Sequence, residues 1–330
     1  AQTNVDSLIN VLETQKLTSQ EQFALYEKIC EISLHDLERV ITYAKKGLSL
    51  ADKEKNKSKA SSFNEYIGRS YNNNRKFDVA ITYYKKALEQ AVKAADVERE
   101  ASINMNLGGV NFNLDEYATA LEYYMNALAF YENSNNMRQY VRGLYNVGGI
   151  YRMLKNITLA EQYLEKALTI AIEQNDTIGM TKAYYDLGAF YFERGKVDEA
   201  QDYMLKSLEW NRLIGNKASE ASCLQALSVM YSISVDSRDE AEKYAEEYLH
   251  YAEELGDSAI LSSAWRTLSN LFREKEYWKE CEAAALKALD FNTTDIASKT
   301  SITATLLVAN IFLENKEKAI AQADASEKQT

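Results

Sequence analysis

Ile67-Gly68-Arg69-Ser70-Tyr71 comes back along the chain as Leu107-Gly108 with Asn111, Val147-Gly148 with Tyr151, and Leu187-Gly188 with Tyr191. It continues as Leu227-Ser228 with Tyr231, Leu268-Ser269 with Phe272 and Val308-Ala309 with Phe312. The step is forty residues each time but one, where it is forty-one. A fixed period of this size marks a solenoid, in which each unit buries its apolar face against its sequence neighbours.

A second marker lies thirteen residues after the first. Ala80-Ile81-Thr82-Tyr83-Tyr84-Lys85-Lys86-Ala87-Leu88 is echoed by Ala120 to Leu128, Ala160 to Leu168 and Ala200 to Leu208, and is anticipated by Val40 to Leu48. Within both markers apolar residues recur at spacings of three and four, the stripe of an amphipathic helix. Each unit is therefore two helices, and the predicted fold is all-α, a right-handed α-solenoid of seven to eight helix-turn-helix repeats. The repeats fall at about 19–58, 59–98, 99–138, 139–178, 179–218, 219–259 and 260–299, with a partial one at 300–330, in one domain.

The small residues have a packing reason. Gly68, Gly108, Gly148 and Gly188 sit where the first helix must approach its partner, with Ala80, Ala120, Ala160 and Ala200 filling the matching slot. Tyr71, Tyr84, Tyr124, Tyr151 and Tyr191 supply bulk around them, which accounts for the 23 tyrosines without recourse to chemistry.

Leu-Gly-x-x-Tyr followed by Ala-x-x-x-Tyr-x-x-Ala resembles the tetratricopeptide repeat over nearly the whole chain. That repeat is usually thirty-four residues and often ends in proline. This chain has no proline and instead has polar turns at Asn133 to Asn136, Gln174 to Asp176, Ile214 to Asn216 and Leu255 to Asp257. The extra residues lengthen the helices, as in the long repeats of kinesin light chain and of peptide-binding bacterial regulators. The Asp6-Ser7-Leu8 opening and the turn at Glu254 to Asp257 resemble the sensor regions of Bacteroidetes-type tetratricopeptide signalling proteins. The resemblance implies an extracytoplasmic, periplasmic sensor region of a two-component or related system, with a histidine kinase or DNA-binding output elsewhere. The alternatives are a cytoplasmic adaptor or peptide-responsive regulator, and a scaffold that self-associates, giving a homodimer.

The net charge of −11 argues against nucleic acid as a partner, since that needs a basic footprint. The lysines at 53, 55, 57 and 59 read as a solvated turn, and Asp239, Glu240, Glu242, Glu246 and Glu247 as a wet helix face. Cys30, Cys223 and Cys281 read as small buried thiols. No run approaches the roughly twenty apolar residues needed to span a bilayer, so membrane attachment is expected only through segments outside the chain. The Ala1-Gln2 start fits what remains after secretory cleavage. Ala319 to Gln322 reads as the start of a second helix that stops at Thr330 without a cap, so the natural chain is expected to continue.

No chemistry is legible. His35 and His250 are far apart with no metal-ligand spacing, and Asp36 reads as a helix cap. The Gly108-Gly109 and Gly148-Gly149 pairs lack phosphate-loop spacing and read as close packing. Four Asn-x-Ser/Thr triplets, including Asn292-Thr293-Thr294, carry no weight. No enzyme and no cofactor are expected.

Binding is expected on the concave face lined by first helices. Met105, Tyr145 and Tyr185 come two residues before the Leu-Gly position, and Asn106, Asn146 and Asp186 one before. Gly109, Gly149 and Ala189 follow it and leave room; Phe112, Arg152 and Phe192 come one turn later. Arg142 and Lys182 come one turn earlier, and Arg69 and Arg266 extend the line. Asparagine amides suit the backbone of a peptide or partner protein, the cations suit a carboxylate, and the aromatic rings are anchors.

Overall fold

Two helices of 17 residues and two turns of three make up the forty-residue step, as in Lys57–Asn73 followed by Phe77–Lys93. The structure, a computed structural model, describes the backbone of residues 2–291 and 296–327 and the side chains of residues 5–291 and 296–314. Ala1, the Asn292-Thr293-Thr294 triplet and Thr330 lie outside the described residues, as do the side chains of Ala319 to Gln322.

The described residues form sixteen α-helices and one short 3-10 turn, with no strand among them. They divide into two compact units, Ala1–Gly179 and Met180–Thr330. The first holds α1 (Gln2–Thr14), α2 (Ser19–Ile32), α3 (Leu37–Lys53), α4 (Lys57–Asn73), α5 (Phe77–Lys93), α6 (Val97–Asn113), α7 (Tyr117–Tyr131), α8 (Met137–Met153) and α9 (Ile157–Glu173). The boundary falls inside α10 (Thr177–Glu193). The second unit continues with α11 (Val197–Leu213), α12 (Lys217–Ser232), α13 (Arg238–Leu255), α14 (Ser258–Glu274), α15 (Trp278–Phe291) and α16 (Ile296–Glu327). Each unit is an α-solenoid: α2, α4, α6, α8, α12 and α14 each pack on the odd-numbered helix that follows.

The turns run on a twenty-residue grid. Lys55, Arg75, Ala95, Asp115, Lys155, Asn175, Gly195 and Gly215 all take the left-handed conformation at mid-turn. Gly256 and Glu276 resume the grid one residue late. A capping residue ends the turns between repeats, whereas Lys76, Glu116 and Lys196, at turns within repeats, make no side-chain cap. Asn56, Asp96, Asn136, Asn156, Asn216 and Asp257 each accept a hydrogen bond from a backbone N–H in the first turn of the next helix. Left-handed reversal plus Asn/Asp cap does the work that proline does in shorter repeats. Asp36 caps α3 in the same way, accepting from the Arg39 N–H at 3.0 Å.

The glycines are close-approach positions, and the group they admit is mainly a side chain of the second helix; only at Gly188 does a Cβ also meet the partner alanine, 3.2 Å from the Ala200 carbonyl oxygen. A Cβ on Gly68 would lie 2.8 Å from ring carbons of Tyr84, one on Gly108 2.9 Å from Tyr124, and one on Gly148 2.7 Å from Leu164. The tyrosine just before Tyr84 has a separate task. Tyr83 stacks on Tyr71 with centroids 5.7 Å apart, and Tyr151–Tyr163, Tyr191–Tyr203 and Tyr231–Tyr244 repeat the pair at 5.5, 5.4 and 5.5 Å. The second glycines differ from each other: a Cβ on Gly109 would lie 3.4 Å from the Tyr124 hydroxyl, but nothing lies within 4 Å of one on Gly149, so close packing does not explain Gly149.

The three cysteines are buried, and burial, with Glu27 adding to it, pushes the Cys30 thiol up to about 12. The charged runs are mostly solvated, with Lys53, Lys55, Lys57, Asp239, Glu240 and Glu246 exposed, but some members form links. Lys59 pairs with Glu27 at 2.7 Å, and Lys275 holds Asp239 and Glu242.

The C-terminal end departs from the sequence reading in two ways. α16 is one continuous helix, with no turn before Ala319. The turn position falls at Asn315-Lys316, among Glu and Lys residues that favour helix, and a left-handed non-glycine residue costs about 1–2 kcal/mol. Ile296–Glu314 is also long and apolar enough, by length and composition, to cross a membrane. The sequence reading missed it because Lys299, Thr300, Ser301 and Thr303 interrupt the apolar run. In unit 2 this stretch packs Ile302 with Ala285 and Ala288, and Phe312 stacks on Trp278 at 4.1 Å.

Candidate peptide-binding face

Successive first helices are joined by a carboxylate-to-donor link that repeats along unit 1. Glu27 on α2 accepts from Lys59 Nζ and Ser62 Oγ on α4, both at 2.7 Å. One repeat on, Glu65 on α4 accepts from Arg99, Ser102 and Asn106 on α6 at 3.3, 3.3 and 3.0 Å. The donors are forty residues apart, Lys59 to Arg99 and Ser62 to Ser102. The next members in register are Gln139 and Arg142 on α8, but Met105 stands where the carboxylate should be.

Met105 is buried, and this corrects its placement on the binding face. Gly143 on α8 leaves the space: a Cβ there would lie 3.6 Å from the Met105 sulfur. Arg142 is half-buried and forms no ion pair or hydrogen bond among the described residues. Its charge reaches the phenols of Tyr84, Tyr124 and Tyr131. Burial pushes the Tyr84 phenol up, with Glu65 adding to the rise and Arg69 and Arg142 opposing it. Burial likewise raises Tyr124, again opposed by Arg142.

Asn146, one turn along from Arg142, is half-buried and forms no hydrogen bond among the described residues, whereas Asn106 spends its amide on Glu65. Tyr145 is half-buried close to Tyr124, and Gly149 leaves open backbone beside them, whereas a Cβ on Gly109 would lie 3.4 Å from the Tyr124 hydroxyl. Arg69 lies over the Tyr66 ring at 5.8 Å, Phe112 packs on Tyr117 at 5.7 Å, and Arg152 is half-buried at the end of α8. The sequence reading missed Glu65, Arg99 and Ser102, and the phenols of Tyr84 and Tyr124; a carboxylate with donors one period on was the available signal.

The other expected residues belong to unit 2. Asp186 is buried and takes Lys182 as an ion-pair partner at 2.7 Å; Lys182 also lies over the Tyr185 ring at 5.3 Å. Phe192 is half-buried on α10, and Arg266 is half-buried on α14. His35 is exposed in unit 1, and His250 is exposed in unit 2, 3.4 Å from Glu254.

Tandem helix pairs with a repeating inter-helix link define a helical-repeat scaffold. The tetratricopeptide repeat profiles match residues 67–91, 99–173 and 179–254, more than half of the chain. The chain belongs to the tetratricopeptide repeat family. No curated protein matches it.

Among solved structures it is similar to a signal-transduction ATPase with a tetratricopeptide repeat sensor from Pyrococcus horikoshii, with a TM-score of 0.71 at 18% identity over 92% of this chain. This chain spans 46% of that protein's length. It is also similar to a Rap protein complexed with competence and sporulation factor (TM-score 0.64, 16% identity, 98% of this chain and 93% of that one). A tetratricopeptide repeat protein from Parabacteroides merdae gives a TM-score of 0.60 at 16% identity, over 87% of this chain and 99% of that one.

Proposed function

We propose that this chain is a non-catalytic, peptide-binding region of a signal-transduction protein, and that the peptide lies along α6 and α8 of unit 1. The carrying observation is Arg142, a half-buried guanidinium left without a carboxylate because Met105 replaces the acid that the two preceding repeats provide. An acidic side chain or terminus of a peptide would complete the link with a charge-assisted hydrogen bond. Asn146 offers an amide to the peptide backbone, and Gly149 lets that backbone come close.

The Rap proteins complexed with competence and sporulation factor and with a Phr* peptide share the fold and support a peptide as the ligand class. The repeat sensor of the Pyrococcus protein supports a sensing role. In this reading the region is extracytoplasmic and reports to an output domain. A cytoplasmic peptide-responsive regulator is the second reading, favoured by the Rap likeness. Selection from a displayed random peptide library on the immobilised chain tests the proposal. Enrichment of acidic peptides that no longer bind N146A supports it, and no enrichment above a blank surface overturns it.

A further inference from the structure

The second helices of the repeats turn one side to solvent, and the charge of that side reverses along the chain. Lys45 and Lys46 on α3 and Lys85 and Lys86 on α5 are exposed, one period apart. None of the four forms an ion pair or hydrogen bond among the described residues. Lys46 and Lys86 lie over the rings of Tyr43 and Tyr83, each at 4.9 Å. Residues 37–93 hold thirteen cations against six carboxylates, in a chain whose net charge is −11.

The same side of α13 is acidic. That helix carries seven carboxylates against Arg238 and Lys243. Tyr244 stacks on Tyr231 as Tyr83 stacks on Tyr71, which fixes the register of α13 to α5. In that register Lys85 and Lys86 become Glu246 and Glu247, and Lys93 becomes Glu254. Part of each set is already engaged: Glu89 takes Lys93, Arg212 takes Glu247, and His250 stands 3.4 Å from Glu254. Glu240, Glu246 and Glu253 are exposed and, like the four lysines, form no ion pair or hydrogen bond among the described residues.

Both faces are built on the same helix geometry, so their charges stand at equal intervals and meet in one alignment. One exposed ion pair contributes little, but an array that matches in a single alignment adds attraction and excludes other registers. Val92 on α5 and Leu255 on α13, exposed at 57% and 52%, add apolar area at the ends of the two faces.

We infer that these are the two halves of a contact between copies of this chain: the acidic face of α13 in one copy docks on the lysine face of α3 and α5 in another. The contact joins unlike faces, a head-to-tail arrangement. It lies on the second helices and does not rest on the peptide-binding reading.

Sedimentation velocity of the whole chain over a range of concentrations tests it. The chain should associate at about 10 mM salt, where the screening length is about 30 Å, and be monomeric at about 1 M, where it is about 3 Å. K85E/K86E and E240K/E246K should each weaken association about a hundredfold, because like charges then face one another, with circular dichroism unchanged. Mixed in equal amounts, the two variants should associate again, since each supplies the face the other lacks. R142Q should associate as wild type does, so failure here is distinguishable from failure of the peptide site. A chain that stays monomeric at low salt, association that survives about 1 M salt, or two variants that remain apart when mixed would overturn the inference. A monomeric chain that binds polyglutamate through these lysines would overturn it too, in favour of an acidic partner protein.

Discussion

Glu65 on α4 accepts a hydrogen bond from Asn106 on α6 at 3.0 Å, and that bond makes one expected ligand-binding residue part of the scaffold. The same carboxylate, only 12% exposed, also holds Arg99 at 3.3 Å. Glutamine keeps a single amide oxygen for Arg99, Ser102 and Asn106 and turns an NH2 donor toward the side the second carboxylate oxygen served. Glu65→Gln should lower the stability of the chain by about 1–3 kcal/mol, seen as an earlier midpoint in urea. An unchanged midpoint would show the link to be incidental.

Gly68 and Gly149 sit one residue out of register on the same kind of helix, and alanine should act on them in opposite directions. At Gly68 a methyl meets the Tyr84 ring at 2.8 Å; the overpacking, about 1–3 kcal/mol, outweighs the gain in helix propensity. At Gly149 nothing stands within 4 Å, and the roughly 1 kcal/mol of propensity is gained in full. Thermal melts of G68A and G149A should shift down and up respectively. Shifts of the same sign would contradict the packing account.

The left-handed residue at Ala95 carries strain that glycine would relieve. Ala95→Gly should stabilise the chain by about 0.5–1 kcal/mol, the left-handed penalty less the added chain entropy. Asp96→Ala, one residue on, should cost about 1 kcal/mol through the lost cap. Chemical denaturation of the two variants gives both signs.

Asp96 also predicts a response to acid. Burial pushes its carboxyl up, but hydrogen bonds from Ser58 and from the Arg99 backbone, together with the Arg99 charge, outweigh this and hold it below the usual carboxylate range. Glu220 is held low in the same way by Lys217 and Arg212 against its burial. A depressed folded pKa gives stability that is present above the unfolded value, near pH 4, and lost as pH falls through the folded one. The raised phenols of Tyr84 and Tyr124 act at the other end: their contribution is whole below about pH 10 and lost as pH rises beyond it. Asp96→Asn should flatten the acid limb of a stability-versus-pH curve and leave the alkaline limb alone.

The period was legible because packing in a solenoid is local, so each repeat writes the same apolar stripe and the same polar turn. Gln174-Asn175-Asp176 and Ile214-Gly215-Asn216 stand where the sequence put them, and Asn175 and Gly215 turn left-handed there. The division of labour between Tyr83 and Tyr84 was not legible, since adjacent residues on a helix point 100° apart and either fits an aromatic slot. Met105 shares its register with Tyr145 and Glu65. Only Gly143 on the next first helix, 38 residues on, decides that it turns inward.

The most direct test of the central claim is the affinity of an acidic peptide, recovered by selection on the whole chain, for wild type and for R142Q, measured by fluorescence anisotropy. Arg142 forms no ion pair or hydrogen bond among the described residues, so the substitution should leave folding intact and weaken the peptide by about tenfold to a hundredfold, as expected for one charge-assisted contact. Equal affinity for the two proteins would contradict the account and place the peptide elsewhere.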